Sequence, residues 1–181
     1  MKKRIAYLIL VFAVIFIFFI LQKPFFMLYN DAPGRLVPFS SYLQVMFHGM
    51  SLDAATTGYL TAIPWLTILI SIWFKKFPLR QLLVGYYAIV CLLISLIFVG
   101  DMCLYPFWNF KLDASVFLYL EYPKNAMASV STGFIILRIL VILLLSGFVT
   151  WILYRITPRY LPPANRKITG TLATILLGGV L

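Results

Sequence analysis

Long uncharged runs alternate with short charged ones along this chain, and the uncharged runs have the length of membrane spans. Residues 5–21 carry no charge, and the apolar character continues past Gln22, Lys23 and Pro24 to about residue 28. Residues 54–74 and 81–100 are likewise without charge, and 132–154 contains a single charged residue, Arg138. At ~1.5 Å of rise per residue, helices over 5–28, 54–74, 81–100 and 132–154 can each cross a hydrocarbon core of ~30 Å. A last apolar run, 168–181, is too short to cross and predicts an incomplete fifth span. The expected fold is therefore all-α. It is a polytopic membrane helix bundle of four complete transmembrane helices and a truncated fifth, in one transmembrane domain over 1–181.

The segments between the runs refine that picture. Pro33, Gly34 and Pro38 break the chain after the first span, and 40–50 is expected to form a short interfacial helix leading into the second. Pro64 lies inside the second span, where it frees a backbone carbonyl that a neighbouring helix must satisfy. The segment 101–131 holds Asp101, Asp113 and Glu121 among Tyr105, Phe107, Trp108, Phe110, Phe117, Tyr119 and Tyr122. An aromatic, amphipathic stretch between two spans reads as chain lying in the membrane interface.

Composition agrees with lipid as the main solvent. The chain is 63% hydrophobic and 11% charged, against ~25% charged in a soluble domain. The net charge of +10 does not point to nucleic acid, because the cations cluster in short loops between apolar runs. The basic start followed by an apolar run resembles a signal peptide, yet bulky aromatics stand where a cleavage site needs small residues, so an uncleaved helix is expected. Two cysteines and one histidine provide neither a disulfide framework nor a metal spacing, so no metal site or cofactor is expected in this chain.

Charge also assigns an orientation. Lys2, Lys3, Arg4, Lys75, Lys76, Arg80, Arg155, Arg159, Arg166 and Lys167 fall in one set of loops, which contains no acid. The opposite set holds Lys23, Arg35, Lys111, Lys124 and Arg138 with all five carboxylates. The positive-inside rule places the first set, with the amino terminus, in the cytoplasm. The expected arrangement is multi-pass, with the amino terminus cytoplasmic.

Few residues are candidates for chemistry. Asp53, Asp101 and Arg138 all fall near the outer ends of spans, and Arg138 is expected either to pair with one of the two acids or to snorkel to headgroups. His48 with Asp53 admits an acid–base reading, but no nucleophile or metal cluster accompanies them. Ser51 or Asp53 as a cap for the second span is the plainer role. No phosphate loop, Ser/His/Asp triad or zinc spacing is present.

Two stretches carry a resemblance. Phe47-His-Gly-Met-Ser-Leu-Asp53, continuing to Leu60, resembles the HG-x-R-x-D opening of the membrane part of lipoteichoic-acid-synthase-like proteins, with Ser51 where that family often has a basic residue. Residues 101–129 resemble their outer segment after the third helix. The resemblance implies five transmembrane helices followed by an extracytoplasmic, sulfatase-like catalytic domain beyond residue 181, where a divalent metal and a threonine nucleophile belong. By it, this chain is the anchor and lipid-facing module of a phosphoglycerol transferase acting on envelope lipids or glycans, and itself lacks the catalytic centre. Its partners are then the bilayer, anionic phospholipid headgroups and the outer domain. Trp108, Phe110, Phe117 and Tyr119 are the expected membrane contacts, with Lys111 and Lys124 near phosphates. The competing readings are a transporter or channel subunit, favoured by Pro64 and Arg138 within spans, and a non-catalytic membrane scaffold.

Overall fold

The computed structural model describes residues 2–31, 37–74, 78–113, 131–159 and 167–178. These form six helices and, among the described residues, no strand. In chain order they are α1 (Lys2–Asn30), α2 (Phe39–His48), α3 (Met50–Ser71), α4 (Leu79–Trp108), α5 (Thr132–Ile156) and α6 (Lys167–Gly178). Helices α1, α3, α4 and α5 are long and apolar enough to cross a membrane. They coincide with the four expected spans, and α2 with the short helix expected before the second. The chain is thus a polytopic helical bundle.

The largest departure is at the end of α4. It does not stop near residue 100 but runs on as helix through Asp101 to Trp108. Thirty residues rise ~45 Å, well beyond the ~30 Å hydrocarbon core, so at least one end stands in the interface. Asn109 ends the helix in the left-handed conformation, with φ 57°, and its N–H donates to the Tyr105 carbonyl at 2.8 Å. Asparagine tolerates that conformation better than most side chains, which suits it to a helix stop. Residues 114–130, most of the proposed interfacial segment, lie outside the described residues, and with them Phe117, Tyr119 and Lys124.

Packing is tight in one half of the bundle. Tyr7, Leu8, Val11, Ile15 and Phe18 form one stripe on α1, and Leu79, Leu83, Tyr87 and Cys91 another on α4. With Ile68 of α3 and Val149 and Leu153 of α5, they make the buried core. All lie toward the end that carries Lys2, here called the basic end. Polar pins reinforce it. The Tyr7 and Tyr87 hydroxyls are 2.7 Å apart, and Tyr7 lies 3.2 Å from Thr157 Oγ1, linking α1, α4 and the end of α5. Arg4, buried at 3% exposure, donates to Ser71 Oγ at 3.1 Å and to the Ile68 carbonyl at 3.4 Å. Outward faces carry large apolar side chains throughout, as a lipid-facing surface requires: Ile17, Ile89, Leu96, Leu140 and Leu144 are all exposed.

Pro64 behaves as a lipid-buried proline must. It has no N–H to give the Leu60 carbonyl, and the Tyr86 hydroxyl of α4 donates to that carbonyl instead, at 2.7 Å. The same helix bends its hydroxyls inward: Thr57, Thr61 and Thr67 each donate to the carbonyl four residues back, at 2.7 Å. Each thus satisfies its own hydroxyl without a partner helix. Helix α6 docks on α3, where Trp65 Nε1 donates to the Thr174 carbonyl at 2.6 Å.

Candidate functional site: a charged cleft between three helices

Away from the basic end, α1, α3 and α4 separate and leave a cleft of about 480 Å³. Helical spacing aims one face of each helix into it. Phe19, Lys23 and Phe26 come from α1, Asp53, Thr56 and Leu60 from α3, and Val90, Ile94, Ile97 and Asp101 from α4. The walls are apolar and the polar groups gather toward the helix ends. This is the usual make-up of a binding site: an apolar enclosure with a few placed polar groups.

Lys23 and Asp53 form an ion pair across the cleft. Asp53 is only 8% exposed, and the lysine supplies the partner that a buried carboxylate needs. Gly49 lies directly beside the lysine. A Cβ at position 49 would overlap Nζ and Cε of Lys23, so any larger residue there would make the flexible lysine tip shift. Glycine at this place in the His48-Gly49 motif leaves the lysine its present path, its own φ of −87° being ordinary.

Asp101 shapes the mouth. Its Oδ1 accepts from the Leu112 N–H at 2.7 Å, which folds the chain back after the Asn109 stop. That return brings Lys111 over the Phe26 ring, 4.8 Å from its centre. Phe26 in turn meets Tyr105 edge-on at 5.0 Å, joining α1 to α4 beneath the lysine. Gln22 also lines the cleft, and its Nε2 is buried with no hydrogen-bond partner. A buried amide donor without an acceptor costs free energy, so this one is suited to an acceptor brought by a ligand.

The expected link between Arg138 and Asp53 or Asp101 is not made. Lys23 reaches Asp53 from the adjacent helix, and Asp101 is engaged by a backbone N–H. Arg138 on α5 instead donates to the Tyr29 hydroxyl at 2.5 Å and stacks over Phe134 at 4.5 Å. It ties α5 to the end of α1 through aromatic groups rather than through charge. His48 is turned away from the acid and donates from Nδ1 to the Gln44 carbonyl at 2.9 Å, as an exposed side chain. Neither Ser51 nor Asp53 caps α3; Gly49 precedes it without a side-chain cap. Trp108 and Phe110 stack at 5.6 Å beside the mouth.

Of the residues singled out beforehand, Asp53, Asp101 and Lys111 thus share one cleft. Lys23, Gln22 and Phe26 join them without having been singled out. Their signal was present: Gln22 and Lys23 are polar residues inside an apolar run, one helical turn from Phe19 and from Phe26. Among the described residues, no three of His, Cys, Asp or Glu come together as a metal site would require.

The fold and cleft define a multi-spanning helical membrane protein with a partly open, apolar-walled cleft that carries a few charged groups at one end of its bundle. Compared with known proteins, the chain matches no family, no curated protein and no solved structure.

Proposed function

We propose that this chain is the membrane domain of an envelope phosphotransferase of the lipoteichoic-acid-synthase-like kind, and that its cleft receives the polar head of the lipid substrate. The observation that supports this best is the cleft itself, an apolar enclosure opening sideways between helices with Gln22, Lys23, Lys111 and Asp101 around its mouth. A phosphodiester headgroup fits that set. The phosphate oxygens accept from Gln22 Nε2 and the lysine ammonium groups, and a headgroup hydroxyl donates to the Asp101 carboxylate. The acyl chains leave between the apolar walls into lipid. On this reading the cleft end is extracytoplasmic and the basic end cytoplasmic, in a bacterial inner membrane. The metal and the nucleophile belong to a separate outer domain, for which this chain is the anchor.

Photo-crosslinking tests the proposal. With p-benzoylphenylalanine at Leu93, in nanodiscs, the chain is expected to capture phosphatidylglycerol several-fold more than phosphatidylcholine of the same acyl length. Gln22→Leu combined with Lys111→Ala is expected to abolish that preference. Equal capture of both lipids by the unmodified cleft contradicts the proposal and leaves transport or scaffolding as the better reading.

A further inference from the structure

A second cleft lies at the other end of the molecule, between α4 and α5. It has a volume of about 630 Å³ and is lined by Pro78, Arg80, Gln81, Val84, Tyr154 and Arg159. Among the described residues that line it, two are arginines and none is acidic. The Arg80 guanidinium carbon sits over the Tyr154 ring, 3.9 Å from its centre, and the group donates to the Tyr154 carbonyl at 3.4 Å. Its Nε is buried with no hydrogen-bond partner. The ring and the carbonyl together hold the guanidinium in place while one of its donors stays unused. An arginine held this way is pre-oriented for the oxygens of a phosphate.

Val84 and Tyr154 also line an adjoining groove of about 480 Å³, which runs on between α4 and α5 past Ala88, Leu92, Leu143 and Gly147. Positions 80, 84, 88 and 92 are successive turns on one face of α4. The distance from Arg80 to Leu92 is ~18 Å along the helix, close to half of a ~30 Å hydrocarbon core. Nothing lies within 4 Å of where a Cβ at Gly147 would stand, so the floor of the groove is open space. A cationic pocket at the depth of headgroups thus continues into a shallow, mostly apolar surface groove about one leaflet long.

We infer that this is a binding site for an anionic phospholipid of the leaflet at the basic end, its phosphate on Arg80 and Arg159 and one acyl chain in the α4–α5 groove. A free phosphate or a soluble phosphate ester uses the arginines but has no use for the groove. The continuity of the two spaces therefore favours a lipid. The site shares no residue with the cleft between α1, α3 and α4 and does not depend on the function proposed for that cleft.

Native mass spectrometry of the purified chain in detergent, with added dioleoyl-phosphatidylglycerol or dioleoyl-phosphatidylcholine, tests this. With Gln22→Leu/Lys111→Ala present to remove any contribution of the other cleft, retained phosphatidylglycerol is expected to fall by about thirtyfold on adding Arg80→Gln/Arg159→Gln, the weight of two arginines near a membrane surface. Gly147→Leu, which fills open space and displaces no neighbour, is expected to lower retention with both arginines intact. Gln22→Leu/Lys111→Ala should leave that lipid in place. Inorganic phosphate at millimolar concentration should not displace it. Displacement by phosphate, equal retention of the two lipids, or indifference to Gly147→Leu would each overturn the assignment.

Discussion

Lys23 and Asp53 form an ion pair that is largely shielded from solvent. Removing one partner of a buried pair leaves an uncompensated ion and costs about 3–5 kcal/mol. Asp53→Leu and Lys23→Met are each expected to lower the thermal midpoint of the detergent-solubilised chain by several degrees. The double variant Lys23→Met/Asp53→Leu should recover most of that loss, as double-mutant coupling requires. Additive losses would show that the two do not depend on each other. Gly49→Ala belongs to the same cycle. The added methyl displaces the lysine tip, so it should destabilise the native chain by about 1–2 kcal/mol, as point changes at such contacts commonly do, and cost nothing in the double variant. Asp53 was legible in the sequence as a charge at a span end. Its partner was not, because charge spacing along the chain does not reveal which helices are neighbours. Arg138 looked the natural partner by depth in the membrane, but α5 brings it to Tyr29 and Phe134 instead.

At the scale of the helices, α3 shows how a proline is accommodated inside a span. Tyr86 stands in for the missing amide by donating to the Leu60 carbonyl. Tyr86→Phe should therefore destabilise the chain by about 1 kcal/mol, the net worth of such a bond. In a Pro64→Ala background, where residue 64 regains an N–H for that carbonyl, the same change should cost little. Equal cost in both backgrounds would mean that the hydroxyl does not replace the lost donor. The need for such a donor followed from Pro64 alone; its identity as Tyr86 required the packing of α3 on α4. The four spans were legible because uncharged runs of their length have no other stable place in a bilayer. The extension of α4 to Trp108 was not. Asp101 looks like the end of a span by charge, whereas the backbone stops only at Asn109, where a residue tolerant of left-handed φ is available.

Taken whole, the molecule has two unlike ends. Toward Lys2 the helices close on a core of Tyr7, Leu83, Tyr87 and Leu153. Toward Asn30 they part around a cleft that carries Lys23, Asp53 and Asp101. Uniform hydrophobicity along the spans hides this difference, because lipid-facing and core-facing side chains are equally apolar. The asymmetry of charge in the loops, by contrast, was visible from the start, and the proposed function depends on what it implies: that the cleft faces out. Thiol labelling in intact bacterial cells tests this most directly. In a Cys91→Ala/Cys103→Ala background, Asn109→Cys should react with a membrane-impermeant maleimide from outside, and Arg159→Cys should react only after the cells are opened. Labelling of Arg159→Cys in intact cells, with Asn109→Cys protected, would turn the bundle over and remove the cleft from the side on which an envelope transferase works.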